Sequence, residues 1–211
     1  GKVAPTPGLH VHFHPESESP NTSLSISTYT AITAKPDTAA NRLALLPRTM
    51  AHAIINRRFS NLAKKENAAF ISARISASEQ FDLFREVSLD LTAKADQWAA
   101  ALAVGEQELR RALQFGFQAG ELAEVRANFL NGLEQAVKTA ATRRSPNLAD
   151  DLTQDLLSDN VSTDPQADLA LYKPALEAIT PEVCLAALRE TWAADHRYVM
   201  VSGNASIPTG T

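Results

Sequence analysis

The sequence predicts an α+β fold: one mainly antiparallel sheet with helices packed on one of its faces. Three observations carry that prediction. Four segments alternate apolar with polar residues, the two-residue period of a half-buried strand. Other segments repeat apolar residues at steps of three and four, the period of an amphipathic helix. Their order (strand, helix, two strands, several helices, strand) is neither a regular βαβ alternation nor a helix bundle. Judged from segment lengths, helix should exceed strand by about two to one.

The first strand is Ser23 to Ile32, where Leu24 and Ile26 alternate with Ser23, Ser25 and Ser27. Lys35-Pro36-Asp37 ends it. Leu43, Leu46, Met50, Ile54 and Phe59 or Leu62 then share one helical face. Pro47 either kinks this helix or marks where its regular part begins. Two strands follow. Ile71, Ala73, Ile75 and Ala77 share a face in Ala69–Ala77, as do Val87, Leu89 and Leu91 in Arg85–Thr92. Ser78, Glu79, Gln80 and Asp82 lie between them, in a hairpin or a short irregular link.

From Gln97 onward the pattern is helical. Trp98, Leu102, Leu109 and Leu113 mark one helix, closed by Gly116. Leu122, Val125, Phe129, Leu133 and Val137 form the stripe of a long helix from about Glu121 to Arg143, which Pro146 bars from continuing. Shorter helices are expected at Leu148–Leu157 and at Gln166–Ala178, the second weakened by Pro174. Thr180-Pro181-Glu182 opens another with an N-cap hydroxyl, a proline at the first helical position and an acid in the first turn. Its stripe is Cys184 or Leu185, then Leu188 and Trp192. Arg197 to Ser202 is the closing strand, ended by Gly203-Asn204.

The 211 residues suit one large domain in preference to two small ones, and a chain this long buries its core without staples. The net charge of −4 provides no basic field for nucleic acid, and the arginine pairs are scattered rather than interleaved with aromatics. Cys184 is the only cysteine, so neither an internal disulfide nor a CxxC metal knuckle can form, and the compartment stays open. No apolar run reaches the length of a membrane span, and no signal-peptide pattern opens the chain. Residues 1–20 and 205–211 read as linkers flanking a domain at 21–204. Gly1-Lys2-Val3-Ala4-Pro5 and Ile207-Pro208-Thr209-Gly210-Thr211 look like linker ends, as in an excised piece of a longer protein.

Three segments in order carry a family resemblance. One is Asn56-Arg57-Arg58-Phe59-Ser60-Asn61-Leu62-Ala63, followed by Ala69-Phe70-Ile71-Ser72-Ala73. Another is Gly116-Phe117, Glu121-Leu122 and Val125-Arg126-Ala127-Asn128-Phe129-Leu130. The last is Ile179-Thr180-Pro181-Glu182-Val183, then Trp192, then Arg197-Tyr198-Val199-Met200-Val201-Ser202-Gly203. Together they resemble the second, non-catalytic domain of the inverzincin (pitrilysin/insulinase-like) zinc metallopeptidases, most nearly their bacterial multidomain members. The resemblance implies a processing-peptidase-like fold and a structural, substrate-enclosing role. It implies zinc in a separate catalytic domain, held by an H-x-x-E-H helix and a later glutamate. The implied partners are that catalytic domain, the other domains of the parent chain and a peptide substrate. A periplasmic or cell-envelope location is suggested by the resemblance alone. A catalytically dead paralogue acting as an assembly scaffold is the rival.

The residues themselves fail the catalytic transfer. The inverzincin motif needs two histidines one helical turn apart to bind zinc, with a glutamate between them to activate water. His10 and His14 have the spacing, but Phe13 stands where the glutamate belongs, the local pattern is extended, and Pro15 follows. No catalytic residue and no cofactor is therefore assigned within this chain. His10, His12 and His14 are weak metal candidates, because on a strand their rings share one face. They lack a nearby cysteine and an evident second shell to orient them. A His-rich metal-binding module is accordingly a third reading. Cys184 on an apolar stripe reads as a small buried hydrophobe rather than a nucleophile. Asp150, Asp151 and Asp155 read as a solvated helix face rather than a calcium loop. The stripes led by Trp98 and Phe129 read as core.

Overall fold

Leu24 and Ile26 set the register of the sheet. Leu24 stands opposite Leu91 on one neighbour and Val201 on the other, and Ile26 opposite Leu89 and Val199. Ile75 joins the same apolar row across from Leu89. In the computed structural model, which describes residues 4–207, these rows belong to strands β1 (Gly8–Pro15), β2 (Thr22–Ala31), β3 (Ser72–Gln80), β4 (Phe84–Ala93) and β5 (His196–Gly203). Among the described residues they form one sheet in the order β1-β5-β2-β4-β3. The β2–β4, β2–β5 and β3–β4 pairs are antiparallel, and β1 lies parallel to β5. The fold class is thus α+β with a mainly antiparallel sheet, and helix at 51% against strand at 22% of the described residues meets the expected ratio.

The helices are α1 (Ala39–Ala63), α2 (Trp98–Phe115), α3 (Ala119–Thr139), α4 (Ser145–Leu157), α5 (Pro165–Ala178) and α6 (Pro181–Thr191). α2 packs on the sheet against β2 and β4, α1 packs against the edge strand β3, and α3, α5 and α6 pack against α1. Leu46, Met50, Ile54, Ile55 and Phe59 of α1 are buried between these layers with Leu89, Leu91, Leu122, Leu176 and Leu188. Each such side chain contributes about 1.5–3 kcal/mol by leaving water, so α1 is the centre of the core. Trp98 and Phe129 pack at the margin of this cluster, as their stripes predicted.

Polar contacts fix how the helices join. Asn56 in α1 accepts from the Ile75 N–H at 2.8 Å and donates to its C=O at 3.0 Å, pairing with the outer edge of β3 as another strand would. Arg58 donates to both oxygens of Glu121, at 2.6 and 2.8 Å, and Glu121 also accepts from the Gln118 N–H in the capping box of α3. Asp37 and Arg42, before and at the start of α1, hold the connection between α4 and α5. Arg42 donates to Val161 O at 2.5 Å and to Thr163 Oγ1 at 3.1 Å, and Asp37 accepts from Val161 N–H at 2.8 Å. The Arg42 guanidinium holds the Asp37 carboxyl at about 2, well below its ordinary value. Thr180 caps α6 as expected, and Gly116, with φ at 73°, closes α2. Gly203 ends β5 with φ at 135°, where a Cβ would sit 2.4 Å from the backbone oxygen of Asn21.

Two expectations need correction. The stretch 1–20, expected as linker, contains β1, whose Gly8 to Pro15 pair residue by residue with His196 to Gly203. The tail from 205 is not free either: Ala205 is buried and Ile207 packs on the core. The linker readings of residues 1–3 and 208–211 lie outside the described residues. Of the two readings of Pro47, the structure rules out the one in which it marks where the regular helix begins: α1 runs from Ala39 through it. The link after β3 is a hairpin, with Phe81 and Asp82 at φ of 53° and 55° and Leu83 N–H bonded to Gln80 O at 3.0 Å.

Candidate functional site

Alternation on the strands gives the sheet a second face, opposite the core, and this is where the chain presents chemistry. His10, His12 and His14 stand opposite Tyr198, Met200 and Ser202. Those three in turn face Ser27, Ser25 and Ser23. Ser88 and Asp90 continue the rows into β4, and Ser76 and Arg74 into β3. The face is therefore a hydroxyl-rich floor with an imidazole row along one edge. Its centre is aromatic. The His10 ring stacks on Tyr198 at 4.7 Å and 19°, while Tyr29 meets Tyr198 edge-on at 5.3 Å and Phe84 at 5.7 Å. Tyr29 donates to Glu86 at 3.0 Å. Burial raises the Tyr29 phenol above its ordinary value; Glu86 adds to the rise and Ser27 opposes it. A shallow cavity of about 280 Å³ lies over His10, His12, Tyr29, Glu86, Tyr198 and Met200.

The histidine row does not assemble a metal centre. Residues two apart on one face of a strand are about 7 Å apart, so His10 and His14 lie about 13 Å apart along it. Zinc–nitrogen bonds of about 2.0–2.1 Å cannot span that distance, so one ion cannot take all three rings. His10 Nε2 lies 2.8 Å from Thr6 O, a contact that fits a donor and not a metal ligand. Among the described residues, no group of three or more His, Cys, Asp or Glu side chains is placed to hold an ion. Zinc therefore does not fit the three rings as a single site.

One constellation escaped the sequence reading. Thr28 Oγ1 lies 3.3 Å from His196 Nε2, and His196 Nδ1 lies 3.3 Å from Asp195 Oδ1. That is the hydroxyl–imidazole–carboxylate order of a nucleophilic triad. It cannot act as one. Thr28 is 1% and His196 5% exposed, and His196 Nε2 already accepts the Tyr29 N–H at 3.0 Å. The imidazole stands in for the next rung of the β2–β5 ladder, just beyond the last pair, Ser27 with Tyr198. The neighbours Asp195 and His196 were visible in the sequence, but Thr28, far away along the chain, was not a partner any spacing rule could supply.

The other candidates fall where their bland readings put them. Asp150 and Asp151 are exposed and Asp155 half-buried on α4; Asp151 pairs with Arg143, and Asp155 accepts from Ser162 at 2.7 Å. Cys184 is fully buried, and burial pushes its thiol up to about 11. Because the thiolate is the reactive form, the native chain is expected to leave Cys184 unmodified by a disulfide reagent at pH 8, while urea-unfolded chain reacts within the mixing time. Labelling of the native form at the unfolded rate would show that α6 does not pack as described.

No family model matches the sequence, and no curated protein does. Solved structures do. The first half of the periplasmic protease PqqL from Escherichia coli superposes with a TM-score of 0.83 at 17% identity, over 97% of this chain and 44% of that one. The fold is that of insulinase-family proteases. A predicted insulinase family protease from Yersinia pestis gives 0.78 at 14% identity, over 96% of this chain and 43% of that one. A peptidase M16 inactive domain from Pseudomonas fluorescens gives 0.64 at 14%, over 99% and 47%. The chain thus spans less than half the length of each of these insulinase-type neighbours. No helix among the described residues is long and apolar enough to cross a membrane.

Proposed function

We propose that this chain is a non-catalytic domain of a zinc-dependent peptidase of the pitrilysin/insulinase type, and that it helps enclose the peptide substrate. The observation that carries the reading is a pair of facts about coverage. Nearly the whole chain superposes on PqqL's first half, yet it accounts for less than half of that polypeptide. No H-x-x-E-H or H-E-x-x-H occurs in the 211 residues, so a peptidase built on this chain must keep zinc and its activating glutamate in another domain. The open face supports the enclosing role. Tyr29, Tyr198 and His10 offer flat surfaces, and the serine rows offer hydroxyls that accept or donate to a passing backbone. The catalytic domain and other domains of the parent are then its partners, and a periplasmic location like that of PqqL would follow.

A scaffold in a catalytically dead paralogue is the second reading, favoured by the likeness to an inactive domain. One experiment separates the readings. The chain alone and its parent polypeptide are assayed on a fluorogenic peptide, with zinc and with a strong chelator. The chain is expected to be inert, and the parent to cleave in a chelator-sensitive way through an H-x-x-E-H in the domain-length stretch, about 100–200 residues, preceding this one. Chelator-sensitive cleavage by the chain alone would overturn the non-catalytic assignment. An inert parent whose equivalent histidines or glutamate are replaced would establish the scaffold instead.

A further inference from the structure

α1 runs along the outer edge of β3, and the space between them is a cavity of about 300 Å³. Arg48, Thr49, His52 and Asn56 line it from α1, and Arg74 and Ser76 from β3. Its charges are unmatched. Arg48 is half-buried and Arg74 exposed, and neither makes a hydrogen bond or ion pair among the described residues. Apart from these two and Arg144, every arginine of the chain does. His52 is 8% exposed, and its Nε2 is buried without a partner.

The remaining groups do not supply the missing acceptor. Asn56 spends its amide on Ile75, and the Thr49 hydroxyl donates to Leu45 O at 3.0 Å. No carboxylate lines the cavity. Glu79 is taken up by Arg85 at 2.6 Å, and Glu79 and Glu190 reach Arg48 only as distant charges, opposed by Arg85. A guanidinium has five donors and no acceptor. Drawing it out of water without an anion costs desolvation that nothing repays, whereas a charge-assisted pair would offset it.

We propose that this cavity is an anion site, taking a carboxylate or phosphate group between the Arg48 and Arg74 guanidiniums beside the His52 imidazole. An anion there would also favour the imidazolium, so binding should raise the His52 pKa from its buried value of about 4. This inference does not rest on the peptidase reading, and its test involves no proteolysis.

The test uses thermal unfolding and an NMR titration of His52 on the 211-residue chain, in a buffer free of phosphate and carboxylates. Inorganic phosphate or N-acetylglutamate amide is added, with sodium chloride at matched ionic strength as control. At least one of the two probes is expected to raise the unfolding midpoint and the His52 pKa where chloride does not. Response to phosphate alone assigns a phosphate ligand; response to the glutamate amide assigns a carboxylate of a peptide or neighbouring domain. Arg48→Gln should weaken binding about tenfold, the scale of one lost charge-assisted hydrogen bond. Arg74→Gln, on an exposed side chain that the core does not need, should weaken it as well, and Arg144→Gln should leave it unchanged. Chloride matching both probes, no response to either, or unchanged affinity in Arg48→Gln and Arg74→Gln would overturn the proposal.

Discussion

Replacing Phe59 by alanine is expected to lower the unfolding free energy by about 3–5 kcal/mol, the range for removing a buried aromatic. Phe59 is 0% exposed and meets Phe70 edge-on at 6.0 Å. It lies on α1, which touches β3 on one side and α3, α5 and α6 elsewhere. A hole at this position is walled by several elements, each held by its own contacts, so the site cannot collapse around alanine and the cavity cost is added to the lost transfer free energy. Urea unfolding at pH 7 measures the loss. Phe81→Ala is the matched control: Phe81 is 84% exposed at the hairpin tip, and its removal should change stability by less than about 0.5 kcal/mol. A loss below about 1 kcal/mol for Phe59→Ala would mean that α1 is not the centre of the core.

Much of this core could be read from periodicity. Leu24, Ile26, Val87, Leu89, Leu91 and Ile75 alternate with polar residues and do line one face, because a strand with one wet side has no other way to segregate them. Thr180-Pro181-Glu182 gave the start of α6 to the residue, since each group satisfies or complements a free helix end locally. β1 was the failure. Leu9, Val11 and Phe13 alternate with His10, His12 and His14 as cleanly as any strand in the chain, and that alternation was the available signal. Its partner is β5, a long way off in sequence, and nothing local announces a parallel edge pairing of that separation. Pro47 left the course of the first helix open. A proline costs one helical hydrogen bond, but Leu46, Met50 and Ile54 on either side of it are buried, and their packing outweighs that local loss.

The site was less legible than the fold. That His10, His12 and His14 share a face follows from strand alternation, but that Tyr198, Tyr29 and Glu86 join them depends on register, which only the paired strands define. Arg48, His52 and Arg74 carried no pattern at all. His52 lies outside the apolar stripe read on its helix, and Arg74 on the polar face of a strand. What relates them is that α1 lies along the edge of β3, through Asn56 and Ile75.

His52 also gives the chain an expected acid weakness between pH 6.5 and 4. Burial, with Arg48 adding to it, lowers its pKa from 6.5 to about 4. The unfolded chain takes up a proton as pH falls through 6.5, and the native chain does not until about 4, so the unfolded state binds more protons in this window and stability falls with pH. The stability is fully present above pH 6.5 and fully lost below about 4, a difference of about 3 kcal/mol at 1.36 kcal/mol per unit. Asp37 acts in a separate window. Its carboxyl, lowered from 3.8 to about 2 by Arg42, loses its contribution only as pH falls through that lower range. Urea midpoints at pH 7, 5.5 and 4 should therefore drop steadily in the unchanged chain. His52→Leu, which fills the same buried position without a titrating group, should flatten the drop by about 3 kcal/mol. Parallel losses in the two proteins would show that His52 is not the group responsible. The measurement belongs in a buffer without phosphate or carboxylates, because an anion held by Arg48 and Arg74 would raise the native His52 pKa and shrink the same step. Repeating the series with whichever of the two probes binds should thus move the unchanged chain toward His52→Leu behaviour, and move Arg48→Gln less at the same probe concentration.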